Sequence, residues 1–175
     1  MTKPNLDEIK YKLIKLSDED QKRRKDTNVT LVESRKFEDY LTVELKKIIK
    51  ELGRWPGLSM VGKEGETAAW FLAQHTQDKE FARYCLKLME ENLDDITKAN
   101  YAYLVDKVLL GDDKPQRYGT SVTGKMVDGE FEVVPMPLED PQKVEQLRVK
   151  MGLGSLEKQI VHNKEMFLKY QKKAS

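Results

Sequence analysis

The chain has one cysteine, Cys85, and two histidines, His75 and His162. That scarcity excludes a zinc ribbon, a cysteine redox pair and a histidine-rich metal cage. A metal would have to be held by carboxylates, and no carboxylate group has the spacing of a calcium loop. No metal and no cofactor is therefore expected. An excess of either charge is also missing, with 31 Lys and Arg against 30 Asp and Glu. Near-neutrality removes the electrostatic basis for binding nucleic acid or an anionic membrane. No segment approaches the roughly 18 apolar residues of a membrane span, and the opening MTKPNLDEIKYKL has no signal-peptide core. The expectation is a soluble, cytoplasmic protein without internal repeats.

What the chain does have is helical periodicity. A length of 175 residues suffices for one domain with its own core. Leu6, Ile9, Leu13 and Leu16 recur at helical spacing, and the same stripe runs on to Asp20 and Arg24. A second helix spans about Thr30–Leu52, with Phe37, Leu41, Leu45, Ile48, Ile49 and Leu52 on one face and Gly53 as its stop. RWPGLSMVG reads as a loop. A third helix, from near Lys63 to about Thr76, has the stripe Ala68, Phe71, Leu72, His75. The fourth carries Phe81, Tyr84, Cys85 and Leu88, and the fifth, about Thr97–Leu110, carries Ala99, Ala102, Tyr103, Asp106 and Leu110. Trp55 and Trp70 read as packing residues, Cys85 as core and His162 as surface.

The segment KPQRYGTSVTGKMVDGEFEVVPMP interrupts this pattern. Its valines, Phe131, Gly124 and Asp128-Gly129 have the chemistry of short strands and tight turns. Asp140 and Pro141 then start a helix presenting Val144, Leu147, Arg148 and Met151, and Ser155 caps a last helix to about Tyr170. The fold expected is mainly α: a single-domain helical bundle over 1–175 with a small β-hairpin insert near residues 117–134. Residues 1–5 and 171–175 are expected to fray.

Function is sought in polar residues on apolar stripes. A carboxylate at Asp106 costs several kcal/mol to bury unless it finds a partner. If it meets His75, it would fix the imidazole tautomer and prepare a general base; the alternative is a buried bridge that sets helix register. Asp20 and Arg24, four residues apart, form either an intrahelical ion pair or part of a site. Arg148, between Val144 and Met151, suits an anionic ligand group or a carboxylate of the chain. Gln116, Tyr118 and Thr120 alternate, so an extended segment would place amide, phenol and hydroxyl on one face.

The order DQKRR, WPGLSMVG, AAWFLAQH, AYLVDKV, QRYGT, DGEF, PLEDP and VEQLRVKMGL resembles the bacterial family of unknown function DUF6624, over nearly the whole chain after about Leu16. The resemblance associates Asp20, Gln21, Arg24, Gln74, His75, Asp106, Gln116, Tyr118 and Thr120, and it implies no established activity. Lys107 stands where an arginine is usual, Ser121 where a second glutamine is usual, and GRWP carries one residue more than GWP. The leading expectation is a metal-independent hydrolase or lyase acting on a small polar or anionic molecule. His75 and Asp106 would be catalytic, with Asp20, Gln21, Arg24, Gln74, Gln116, Tyr118, Thr120 and Arg148 binding substrate. The alternative is a noncatalytic interaction or inhibitor module whose buried polar network is structural. The oligomeric state is left open.

Overall fold

The computed structural model describes residues 4–174, and side chains as far as residue 169. The chain is mainly α-helical with one β-hairpin. It divides into two compact units, Met1–Leu104 and Val105–Ser175.

In the first unit, α1 (Leu6–Lys25) begins at Asn5, whose side chain accepts from Glu8 N, so the chain is capped at residue 5 rather than frayed there. Residues 1–3 lie outside the described residues. Ile9, Leu13 and Leu16 are buried, and so are Ser17 and Asp20 on the same stripe. The helix α2 (Leu31–Leu52) has a complete capping box between Thr30 and Glu33 and ends at Gly53 in the left-handed conformation. Its core face is Leu41, Leu45, Ile48 and Ile49, while Phe37 and Leu52 are half-buried. The helices α1 and α2 run antiparallel: Arg24 meets Glu38, and Lys12 meets Glu44 farther along α2.

The loop expected before the third helix is shorter than RWPGLSMVG. A first turn forms at Leu58–Val61, and α3 (Leu58–His75) is kinked at Gly62, with φ 67° and ψ 179°, a conformation only glycine adopts without strain. Helical periodicity could not register a single turn before a kink. Lys10 lies 3.9 Å from Glu64 and Asp20 lies beside His75, so α1 and α3 run parallel. Trp55 is 1 % exposed and packs as expected. In α4 (Lys79–Glu90), Phe81, Cys85 and Leu88 are buried but Tyr84 is exposed.

Buried among these helices is a carboxyl that the stripe reading passed over. Glu66 of α3 is fully buried, with Asn100 Nδ2 donating to Oε2 at 3.0 Å. Burial raises its pKa above the ordinary 4.5, against the lowering influence of Thr97, Asn100 and Trp55. A carboxyl that binds its proton more tightly when folded contributes stability that is complete below pH 4.5 and is lost as pH rises through the raised value. Glu66→Gln removes that loss. The melting temperature of the variant relative to the parent is expected to climb with pH above 4.5 and then level, which thermal melts across a pH series measure.

The helix α5 (Lys98–Gly111) carries the chain from the first unit into the second. Its buried face is Tyr101, Ala102, Leu104, Val105 and Asp106, shifted from the stripe read in the sequence, and Tyr103 is only half-buried.

In the second unit, β1 (Val122–Val127) and β2 (Glu130–Pro135) pair antiparallel, with Val122 opposite Pro135 and Val127 opposite Glu130. Asp128 (φ 50°) and Gly129 (φ 85°) supply the two positive φ angles of a tight hairpin turn. The hairpin is thus narrower than 117–134. Residues 116–121 form no strand; only Gln116 makes an isolated bridge, to Leu138. The Asp140 carboxylate accepts from Gln142 N and Lys143 N, holding a turn that precedes α6 (Val144–Lys150). Ser155 Oγ accepts from Lys158 N at the start of α7 (Leu156–Ala174), which packs on the hairpin with Phe131 against Phe167. The described backbone of α7 runs to Ala174.

Candidate functional site

Two polar clusters form, one in each unit, and they divide the residues marked in the sequence. His75 and Asp106, raised as a pair, belong to different clusters.

The first cluster is built on the parallel pair α1 and α3. His75 closes the last turn of α3, and Thr76 beyond it shares a 2.7 Å hydrogen bond with Thr42 of α2. The ring Nδ1 lies 2.6 Å from Asp20 Oδ2. Arg24 Nε donates to the same oxygen at 2.9 Å, while its Nη2 donates to Glu38 Oε1 at 2.8 Å. Gln77 Nε2 donates to Glu38 Oε2 at 3.1 Å and lies 3.4 Å from the His75 carbonyl, so α1 and α2 both hold the end of α3 that carries the ring. Burial acts to raise the Asp20 carboxyl, but the hydrogen bonds from His75 and Arg24 and the charge on each outweigh it, and its pKa falls below the ordinary value.

Asp20 is 3 % exposed and the His75 ring 22 %. An ionised carboxylate can only accept, so in the neutral imidazole Nδ1 carries the proton and Nε2 carries the lone pair. Nε2 makes no hydrogen bond among the described residues. The result is an oriented imidazole with one nitrogen held and the other open.

A groove of about 500 Å³ runs between α1 and α3 one turn before this ring; His75 does not line it, and Phe71 is the wall residue that reaches the imidazole. Ile14 and Phe71 give it apolar walls, and the Phe71 ring is also the neighbour of His75, with centroids 5.8 Å apart. Ser17, Gln21 and Thr67 line it with hydroxyl and amide groups, and Asp18, Lys63 and Glu64 add charge. Gln74, half-buried, immediately precedes His75 on α3. The structure therefore gathers Asp20, Gln21, Arg24, Gln74 and His75 on two adjacent helices.

The second cluster encloses Asp106, which is fully buried. Its Oδ1 accepts from Arg117 N at 2.7 Å and Tyr118 N at 3.0 Å; its Oδ2 accepts from Thr120 N and Thr120 Oγ1, both at 2.9 Å. Gln116, also fully buried, donates to Ser121 O and Met136 O and accepts from Ser121 N. Arg148 is 1 % exposed; it donates to Tyr118 O, Gly119 O, Gly154 O and Gln159 Oε1. Gln159 Nε2 in turn donates to Thr120 O at 2.6 Å. The carboxylate expected to orient His75 instead organises the loop 116–121. The side chains of Gln116, Thr120 and Arg148, expected to meet a ligand, are engaged by the chain itself, because a loop buried beside a helix must satisfy its backbone there.

Sequence reading missed Glu38, Ser17, Thr67 and Glu66. Glu38 and Glu66 each sit one turn before a buried stripe residue, Thr42 and Ala69, and charge at that spacing was the available signal.

An Asp–His pair on two parallel helices that also wall a mixed groove, and a loop locked around a buried aspartate, define a mainly α-helical protein with a candidate acid–base site. Residues 27–170 match the model of a family of unknown function, DUF6624, and the chain belongs to that family. The match takes in His75, Asp106 and the loop after it. It begins later than the resemblance read from Leu16, leaving Asp20, Gln21 and Arg24 ahead of it. No curated protein and no solved structure matches the chain.

Proposed function

We propose that the protein is an enzyme acting on a small polar molecule in the α1–α3 groove, with His75 as general acid/base. Asp20 takes the orienting role first given to Asp106. The supporting observation is the 2.6 Å contact between His75 Nδ1 and a buried carboxylate, in a ring whose other nitrogen stays open. Nε2 would take a proton from a water or from a carbon acid of the substrate, and Asp20 would stabilise the imidazolium that forms. Returning that proton to a leaving group completes a hydrolysis or an elimination. Gln21, Ser17 and Thr67 would orient the substrate's polar groups.

A metabolite extract incubated with the protein and compared by mass spectrometry tests this. At least one compound is expected to be consumed by the parent and spared by a folded His75→Ala variant. Identical profiles for the two would overturn the proposal. The competing reading, a noncatalytic interaction module, draws on the Asp106 cluster, whose bonds are made inside the chain. It predicts those identical profiles.

A further inference from the structure

We infer that Glu38 of α2 is a positioning residue, which holds the His75 imidazole in its orientation from two sides. This rests on the reading of His75 as the general acid/base.

Both side-chain contacts of Asp20 among the described residues fall on one oxygen, Oδ2, which His75 Nδ1 and Arg24 Nε share. A carboxylate held at a single oxygen can turn about its last bond unless its other partner keeps its place. That partner is Arg24, a long side chain 38 % exposed, whose rotamer freedom opposes any fixed position. Glu38 pins it. The Glu38 side chain is 12 % exposed, and its Oε1 accepts from Arg24 Nη2 at 2.8 Å, so one edge of the guanidinium bridges two carboxylates. The other oxygen, Oε2, accepts from Gln77 Nε2, which also lies 3.4 Å from the His75 carbonyl. Glu38 is itself tied down, because its carbonyl accepts from Thr42 Oγ1, and Thr42 shares its 2.7 Å hydrogen bond with Thr76. One residue of α2 thus reaches the ring through Arg24 and Asp20, and the backbone behind the ring through Gln77. Glu38 does not line the groove, so it acts on His75 and not on a ligand. The pairing of α1 with α2 does not depend on it either. Arg23 lies over the Phe37 ring, 4.2 Å from its centroid, and Lys12 meets Glu44 at 2.6 Å.

A His162→Gln background leaves His75 as the one histidine of the chain. Long-range nitrogen–proton NMR then gives the share of neutral imidazole that carries its proton on Nδ1. Glu38→Ala is expected to produce about half of the fall that Asp20→Ala produces, because Asp20 remains but is free to turn. Glu38→Gln is expected to keep the parent pattern, since its amide oxygen accepts from Arg24 and its NH2 meets the carbonyl of a flipped Gln77 amide. Lys12→Ala removes an α1–α2 ion pair away from the ring and is expected to leave the pattern unchanged. A ring indifferent to Glu38→Ala, a Gln variant shifted as far as the Ala variant, or an equal shift from Lys12→Ala overturns the inference. The spectra are recorded without substrate, which separates this inference from the enzyme reading. If parent and His75→Ala leave identical metabolite profiles while Glu38→Ala still shifts the ring, the enzyme reading alone falls. If the profiles differ and the ring ignores Glu38, the positioning role alone falls.

Discussion

Replacing Asp106 with alanine is expected to cost about 4 kcal/mol, since three backbone N–H groups and the Thr120 hydroxyl lose their acceptor in a site without water access. For a chain of this size that is a fall of roughly 10 °C in melting temperature. Asp106→Asn should recover only part of it, because the amide NH2 would face donors. Circular dichroism melts give the size of the loss, and amide exchange gives its place: residues 116–121 should lose protection first. His75→Ala should move the melting temperature little, since the ring is partly exposed and one nitrogen is open. Equal falls for the two variants would mean that the two residues share a structural task, against the division described above.

Arg148→Met is expected to be the second-largest loss, about 3 kcal/mol. The guanidinium spans Tyr118 O and Gly119 O on the loop, Gly154 O after α6 and Gln159 on α7, a reach that a thioether cannot replace. Arg148→Lys should recover little, because one ammonium cannot bridge four oxygens set around a planar fork. Thermal melts of both variants measure this, and a Lys variant as stable as the parent would contradict the bridging role.

The helices were legible because their stripes are long. Leu41, Leu45, Ile48 and Ile49 alone fix the face of α2, and the capping residues Thr30, Gly53 and Ser155 stand where local chemistry puts them. The hairpin was legible from Asp128-Gly129, which only a tight turn explains. Less legible was the helix face where small and polar residues mix. In α5 the stripe through Ala99, Ala102 and Tyr103 competes with Tyr101, Leu104 and Val105, and tertiary packing chose the latter.

At the candidate site, residue types were legible and partners were not. Asp20, His75, Asp106, Gln116 and Arg148 all stood out as polar groups on apolar ground. Pairing depends on which helices lie together and in which direction, and no local pattern records that α1 runs parallel to α3. The alternation of Gln116, Tyr118 and Thr120 suggested a strand, but the loop curls around Asp106 and turns successive N–H groups to one carboxylate. Backbone donors leave no trace in residue identity.

The most direct test of the Asp20–His75 assignment reads the ring itself. With only His75 and His162 in the chain, long-range nitrogen–proton NMR gives two separable imidazole patterns, and a His162→Gln variant assigns them. The 2.6 Å contact with Asp20 predicts that neutral His75 carries its proton on Nδ1, and that Asp20→Ala abolishes this preference. A proton on Nε2 in the parent, or a pattern unchanged by Asp20→Ala, would mean that Asp20 does not orient the ring, and the proposed acid–base site would lose its foundation.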